Sequence, residues 1–145
     1  MWVTVTKRLE WDAAHRVLRH ESQCSSLHGH RYAAEITCGA NQLDSVGRVV
    51  DFGVIKGVVG EWIAKWWDHT TLVNSADSHL LDWCDYEHKQ FDKRPPYLFR
   101  GEPTAENIAI ELLNTAAVLL KDTGVKVVKV VIYETPTSRA EVSMV

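Results

Sequence analysis

The sequence has little of what marks secreted, membrane-spanning or nucleotide-binding proteins. Its three cysteines, Cys24, Cys38 and Cys84, are an odd number at irregular spacing, which is a poor disulfide framework and predicts a reducing compartment, the cytoplasm. No apolar run approaches the about 20 residues that a membrane helix needs, and the first residues lack the basic head and apolar core of a secretory signal. No Gly-x-Gly-x-x-Gly or Walker-type loop is present, which argues against a mononucleotide kinase or a dinucleotide dehydrogenase.

Charge and size favour an ordinary globular domain. A formal net charge of -3 gives no reason to expect nucleic acid or an anionic membrane as a partner. The apolar fraction of 46% and the charged fraction of 24% are typical of soluble globular proteins, and 145 residues fit one domain. We therefore expect a single domain over residues 1–145, with an insert-like segment at about 75–102.

Two predicted strands carry histidines on their apolar faces. From Val3 to His15 the odd positions are apolar with one exception, and this row ends in His15. In a second extended run, His28 and His30 begin a row of one parity that continues to Cys38. Alternate residues of a strand point to the same face, so all three histidines are expected on the core side of their strands.

Two amphipathic helices are predicted from apolar residues at three- and four-residue steps. The first runs from Phe52 to Trp66, with Asp51 as its N-cap. The second follows the N-cap Thr104 and ends before Gly124.

The remaining elements complete the fold prediction. Residues 125–134 are rich in β-branched side chains and residues 139–145 follow a turn, so both are predicted strands. The order ββααββ favours an α+β fold in which a four-stranded antiparallel sheet carries both helices on one face. Segment 75–102 is expected to contain a helix of its own, because a structureless connection of that length would be unusual.

The three histidines fit a metal site. Neutral imidazoles bind Zn²⁺ at about 2.0–2.1 Å, and three of them leave the fourth tetrahedral position for water or substrate, as catalysis requires. His15, His28 and His30 are therefore candidate zinc ligands. Two alternatives stay open: the histidines are buried and hydrogen-bonded without a metal, or Cys24 is a fourth ligand that closes the site.

Other residues with catalytic chemistry are less specific. Cys24 lies in a polar loop, and a nearby cation would lower its pKa from about 8.5, making it a usable base or nucleophile. Asp68 and His69 pair a carboxylate with an imidazole, a common proton donor or acceptor, although such a dipeptide is more often a solvated helix end. Glu134 either lies beside buried side chains, where its carboxylate could accept hydrogen bonds from a ligand, or reaches solvent. Glu106, in the first turn of the second helix, is explained by the helix dipole.

Six motifs, in order along nearly the whole chain, resemble those of the 6-pyruvoyltetrahydropterin synthase and 6-carboxytetrahydropterin synthase family. They are Asp12-Ala13-Ala14-His15-Arg16, Cys24 with His28-Gly29-His30, Gly47-Arg48-Val49-Val50-Asp51-Phe52, Asp68-His69-Thr70-Thr71-Leu72, Pro103-Thr104-Ala105-Glu106-Asn107 and Tyr133-Glu134-Thr135.

This resemblance implies a fold, an assembly and a set of site residues. The fold is the tunnelling fold, or T-fold, whose sheets join around a barrel in a homohexamer with sites between subunits. The residues implied are His15, His28 and His30 as zinc ligands, Cys24 as the proton-abstracting thiol, Asp68 and His69 as its relay, Glu134 as the anchor of the pterin ring, and Thr104 and Glu106 as further substrate-binding residues.

The spacing of Cys24 and His28 resembles the 6-carboxy branch of this family, which feeds queuosine and other 7-deazaguanines. We therefore expect a lyase that converts 7,8-dihydroneopterin triphosphate to 6-carboxy-5,6,7,8-tetrahydropterin, acetaldehyde and triphosphate. One alternative is the 6-pyruvoyl branch, which eliminates triphosphate without cleaving the side chain. An alternative of another class is a non-catalytic zinc-binding interaction module with a closed site.

Overall fold

The centre of the sheet is an antiparallel pair of long strands. In the computed structural model, which describes residues 1–144, β1 (Val3–His15) and β2 (His28–Ala40) pair over their whole length. His15 lies opposite His28 at the end of this pair. The odd residues of β1 are consistently less exposed than their even neighbours, which confirms the predicted alternation of faces.

Among residues 1–144, six strands form the sheet, rather than the predicted four. β5 (Lys126–Thr135) pairs antiparallel with β2, and β6 (Ser138–Ser143) pairs antiparallel with β5. On the other side, β3 (Thr70–Asn74) pairs parallel with β1, and β4 (Tyr97–Phe99) pairs parallel with β3. The order is β4-β3-β1-β2-β5-β6, so the α+β class is confirmed while the strand number and the all-antiparallel pairing were wrong.

The two additional strands were missed for a physical reason. β3 has five residues and β4 has three, which is too short for a clear alternation of apolar and polar positions. Their partners are also distant along the chain, because parallel neighbours require a crossover rather than a hairpin. The predicted strand over residues 139–145 is observed as β6, and Val145 lies outside the described residues.

The predicted helices are present, together with the one expected in the segment 75–102. α1 (Phe52–Ile55), a π-helical turn (Lys56–Gly60) and α2 (Glu61–Trp66) follow one another directly. α3 (Ser78–Phe91) lies within the segment, and α4 (Ala105–Leu119) is the second predicted helix.

The predicted caps and the core agree with the sequence pattern. The Asp51 carboxylate accepts the N–H of Gly53 at 2.7 Å, and Thr104 accepts the N–H of Asn107 at 3.3 Å, so both N-caps are confirmed. The segment from α1 to α2 and the helix α4 bury their apolar side chains against the sheet in one core cluster. This cluster includes Trp11, Tyr32, Ile36, Ile55, Val59, Ile63, Ile108, Leu112 and Ile132. Among residues 1–144, no helix has the length and apolar character needed to cross a membrane.

Candidate metal and catalytic site

The pairing of β1 with β2 brings three histidines to one end of the sheet. His15 lies directly opposite His28, and His30 lies opposite Ala13, two residues along the same face. Their ring centroids are 4.7 to 5.2 Å apart, and one ring nitrogen from each lies within 4.8 Å of the others. The structure therefore forms a three-imidazole cluster that could hold a metal ion.

Hydrogen bonds to the main chain fix which nitrogen each of two rings offers. The Nδ1 of His15 lies 2.7 Å from the carbonyl oxygen of Pro103, and the Nδ1 of His28 lies 2.6 Å from that of Ser26. A carbonyl can only accept, so both Nδ1 atoms carry the proton and donate it. Both neutral rings therefore present the lone pair of Nε2 to the cluster, which is how metal-binding histidines are commonly oriented.

The distance between these lone pairs fits a shared cation. The two Nε2 atoms of His15 and His28 are 3.1 Å apart, where two lone pairs repel unless a positive charge lies between them. Two nitrogens bound to one tetrahedral zinc ion at about 2.0–2.1 Å would lie roughly 3.3 Å apart. The donor set and its spacing therefore fit zinc.

Burial favours the neutral, metal-binding form of His15 and His30. The pKa of His15 is lowered to about 4, chiefly by desolvation and also by nearby His28 and His30, against the raising effect of the hydrogen bond to the Pro103 carbonyl. Desolvation also lowers the pKa of His30, with the charge of Glu134 opposing it. Neutral imidazoles near pH 7 do not need to lose a proton before they coordinate a cation.

Glu134 lies on the neighbouring strand β5, beside the histidine cluster. Its Oε1 is 3.7 Å from the Nε2 of His15, and its side chain is 28% exposed. It follows Tyr133, whose partner is Ala33, so it lies next to Tyr32 on the buried face of β2. Burial raises the pKa of Tyr32, and the negative charge of Glu134 adds to that effect. Glu134 therefore lies beside buried side chains at the edge of the cluster and also reaches solvent in part, so the structure combines the two alternatives.

Asp68 and His69 form a second cluster immediately before β3. The Nδ1 of His69 is 2.9 Å from the Oδ1 of Asp68, which also accepts the main-chain N–H of Asp12 at 3.1 Å. His69 adopts the left-handed backbone region, at φ 57, which is uncommon for residues other than glycine. Its own N–H donates to the Asp12 carbonyl at 2.7 Å, so contacts with β1 fix the dipeptide in this conformation.

An open cleft of about 420 Å³ joins the second cluster to the first. Asp12, His30, His69 and Thr71 are among the residues that line it. The side chain of His69 is 70% exposed, so its imidazole is accessible to a ligand or to another protein chain.

Cys24 belongs to neither cluster in the described part of the chain. It lies in a short 3-10 turn (Gln23–Ser25) that precedes β2, and its thiol is free and half-buried. Its Sγ is not among the atoms within 4.8 Å of one another in the histidine group or in the group of Asp12, Asp68 and His69. The three imidazoles are therefore grouped without Cys24.

Thr104 and Glu106 lie at the start of α4, next to the residue that contacts His15. Thr104 is the N-cap and is half-buried, whereas Glu106 is exposed in the first turn. Both residues follow Pro103, which brings this turn close to the histidine cluster.

Sequence reasoning missed two carboxylates that hold the loop between β1 and β2. Asp77, buried at the N-cap of α3, accepts two hydrogen bonds from Arg16, at 2.6 and 2.5 Å. Glu102 accepts the main-chain N–H groups of Leu18 and Arg19 at 2.8 and 3.2 Å. The only local sequence signal for these two residues is the N-cap position of Asp77. The hydrogen-bond partners of both carboxylates are far away in sequence, so the sequence pattern does not reveal them.

Comparisons with known proteins show which family the chain resembles. The family profile described as 6-pyruvoyl tetrahydropterin synthase matches residues 4–144. A protein of Rickettsia typhi named 6-carboxy-5,6,7,8-tetrahydropterin synthase is 36% identical over 141 residues, covering 97% of this chain and 99% of that protein. A protein of the same name from Aquifex aeolicus is 30% identical over 158 residues, covering 94% and 95% of the two chains.

Solved structures show the same fold. An uncharacterised protein from Wolinella succinogenes superposes with a TM-score of 0.81 at 24% identity, covering 99% of this chain and 98% of that one. The 6-pyruvoyl tetrahydropterin synthase of Caenorhabditis elegans superposes with a TM-score of 0.69 at 19% identity, covering 100% and 97%. The T-fold expected from the sequence is therefore confirmed.

Proposed function

Because the chain belongs to the 6-pyruvoyl tetrahydropterin synthase family, we propose that it is a zinc-dependent carbon-carbon lyase of the 6-carboxytetrahydropterin synthase type. Its reaction converts 7,8-dihydroneopterin triphosphate and water to 6-carboxy-5,6,7,8-tetrahydropterin, acetaldehyde and triphosphate. The observation that carries this proposal is the three-imidazole cluster with Cys24 outside it, in a chain that aligns end to end with relatives of that name.

The residues of the cluster supply the metal-binding part of the mechanism. His15, His28 and His30 would hold zinc, with two of the rings oriented by their bonds to main-chain carbonyls. A bound zinc ion supplies Lewis acidity that polarises the hydroxyl groups of the substrate side chain and acidifies the protons near them. Cys24 lies outside the group of the three imidazoles, so its thiol would stay available for proton transfer.

Three residues would move those protons. Cys24 takes a proton from the substrate side chain as a general base. His69 donates or accepts protons at the same side chain, and Asp68 orients its ring through the 2.9 Å contact at Nδ1. A carboxylate beside a histidine also stabilises the protonated ring that forms during transfer.

Glu134 would orient the pterin. Its partly exposed carboxylate, 3.7 Å from His15 Nε2, accepts hydrogen bonds from the amino and N–H groups of the ring. Such contacts fix which carbon of the side chain faces the histidine cluster. Thr104 and Glu106, at the start of α4, would line the same binding site.

The position of Cys24 relative to His69 supports sites between subunits of a homohexamer. Among the described residues, His69 is grouped with Asp12 and Asp68 whereas Cys24 belongs to neither group, so a partner subunit would bring His69 to Cys24. The sheet also has edges that can pair: β3 covers β1 only from Ala13 to His15, and β6 is the last strand on its side. Closing such edges between copies protects them from unspecific pairing.

The physiological setting that follows is the synthesis of queuosine and other 7-deazaguanines in the cytoplasm. This assignment depends on the 6-carboxy product, which the relatives' names support and which the reaction products test.

The decisive experiment is to incubate the zinc-loaded protein with 7,8-dihydroneopterin triphosphate and identify the products by mass spectrometry. The proposal predicts 6-carboxytetrahydropterin and acetaldehyde in equal amounts. Release of triphosphate without acetaldehyde would assign the chain to the 6-pyruvoyl reaction instead. No turnover, with a fold that collapses on chelation, would favour the non-catalytic zinc module.

A further inference from the structure

The loop between β1 and β2 carries Cys24 and has hydrogen bonds between its own main-chain groups, such as those from the His20 N–H to Val17 and from the Ser26 N–H to Gln23. It starts after the candidate ligand His15 and ends before His28, and its regular structure is limited to the 3-10 turn (Gln23–Ser25). A thiol that acts as a base must be held within hydrogen-bonding reach of the proton it takes. The internal hydrogen bonds give the loop its shape, and contacts from outside the loop can set where it lies relative to the histidine cluster.

Glu102 supplies the contacts that meet this need. Its two carboxylate oxygens accept the N–H groups of Leu18 and Arg19, at 2.8 and 3.2 Å, although it lies more than 80 residues away in sequence. Its side chain is only 15% exposed, and its own carbonyl accepts the side-chain amide of Asn107 at 2.8 Å. Hydrogen bonds to a charged acceptor are about twice as strong as neutral ones.

The contact reaches Cys24 through one more hydrogen bond. Val17, adjacent to Leu18, donates its N–H to the carbonyl of Cys24 at 2.9 Å. The segment that Glu102 holds is therefore bonded directly to the cysteine. The next residue after Glu102 is Pro103, whose carbonyl accepts from His15. Two consecutive residues thus contact the cysteine loop and the histidine cluster.

We propose that Glu102 is a positioning residue, whose carboxylate holds the Cys24 loop through the main chain of residues 17–19 and aligns the thiol with the histidine cluster. The inference rests on the proposed role of Cys24 in proton transfer. The ion pair with Arg19 adds little to this function, because the two charged atoms are 3.6 Å apart and the arginine is 81% exposed.

Two variants of Glu102 test the proposal. Glu102→Ala removes both acceptors, while Glu102→Gln keeps one oxygen and turns an NH₂ group toward a main-chain N–H. The matched control is Glu21→Ala, which removes a carboxylate of the same loop that is 88% exposed. Zinc content and circular dichroism check that each variant keeps its fold. If Glu102→Ala does not fold, the measurements on Glu102→Gln test the proposal instead.

The expected results separate positioning from a purely structural role. In Glu102→Ala, kcat falls about 10- to 100-fold with KM within about twofold, since a misplacement near 1 Å can cost that much. Amide hydrogen exchange at Leu18, Arg19 and Val17 accelerates at least about tenfold. Glu102→Gln lies between wild type and Glu102→Ala in both measurements, and Glu21→Ala matches wild type.

Two results would overturn the inference. One is unchanged exchange at Val17 in Glu102→Ala, because the contact would then not extend to Cys24. The other is faster exchange at Val17 with an unchanged kcat.

If the wild-type protein does not turn over dihydroneopterin triphosphate, the proposed function fails. The inference about Glu102 is then decided by the rate at which iodoacetamide alkylates Cys24, which rises at least about threefold in Glu102→Ala if the loop is released. Buried Cys38 serves as the internal reference.

Discussion

Replacing Asp77 by Asn tests how strongly α3 is joined to the loop that follows His15. Asp77 is 2% exposed and makes a bidentate pair with Arg16, and it also accepts the N–H of Leu80 at 3.3 Å as the N-cap of α3. Asn keeps the cap, since its side-chain oxygen can accept the same bond. The substitution therefore removes the ion pair and leaves the helix start in place.

The expected loss can be worked out from this geometry. Removing one partner of a fully buried ion pair costs roughly 3–5 kcal/mol, because the other charge is left without a partner. The Arg16 side chain remains 24% exposed, so water offsets part of that cost, and we expect Asp77→Asn to lose about 2–3 kcal/mol. For a domain of this size that loss lowers Tm by about 5–10 °C.

Urea and thermal unfolding at equal protein concentration and equal zinc content measure this loss. The matched control is Asp85→Asn on the exposed side of α3, where a 56% exposed carboxylate pairs with Lys89 at 2.8 Å. Surface pairs of this kind contribute about 0–1 kcal/mol. If Asp77→Asn costs no more than Asp85→Asn, the Arg16–Asp77 pair does not join α3 to the loop.

The pH dependence of the same pair has a defined sign. The hydrogen bond from Arg16 holds the pKa of Asp77 below its usual range, against the opposing effect of burial. A carboxylate with a depressed folded pKa stabilises the protein above its unfolded pKa of about 3.9, and this stabilisation is lost as pH falls through the folded pKa. The stability difference between wild type and Asp77→Asn should therefore be constant near pH 6–8 and shrink below about pH 4.

Three further predictions concern the site. Cys24→Ala should abolish turnover while zinc content stays at the wild-type level, and loss of zinc would instead make Cys24 a ligand. Chelation should remove activity before the fold, measured by activity and circular dichroism on the same sample, because a catalytic ion is not needed to complete the core. Glu134→Gln should raise KM about tenfold or more, since a neutral amide accepts fewer hydrogen bonds from the pterin ring, and an unchanged KM would remove Glu134 from ring binding.

The sequence identified the long strands of the fold because their pattern is local. Alternation along Val3–His15 and along the run from His28 placed each histidine on the apolar face before any pairing was known. The pairing then needed only one register, with His15 opposite His28, to bring the rings together. β3 and β4 offered no comparable signal, because short parallel strands depend on distant neighbours.

The same distinction explains which site residues the sequence could indicate. Cys24 and His69 have side chains whose chemistry is recognisable without a partner, so motif spacing was enough to mark them as candidates. Glu102 and Asp77 act by accepting hydrogen bonds from residues that lie 61 to 84 positions away along the chain, and as isolated carboxylates in loops they look like solvated surface groups.

The two kinds of residue also differ in what their loss should do. Loss of a residue that is proposed to touch the substrate, such as Cys24, should lower the rate without changing the main chain around it. Loss of a residue that holds the cysteine loop should lower the rate by changing the main chain of the loop. Amide exchange at Val17 detects that change independently of turnover. The hydrogen bond from Val17 to Cys24 joins the segment that Glu102 contacts to the cysteine itself. The protection of the Val17 amide against hydrogen exchange in each variant therefore shows whether a loss of activity begins at the thiol or at the loop that carries it.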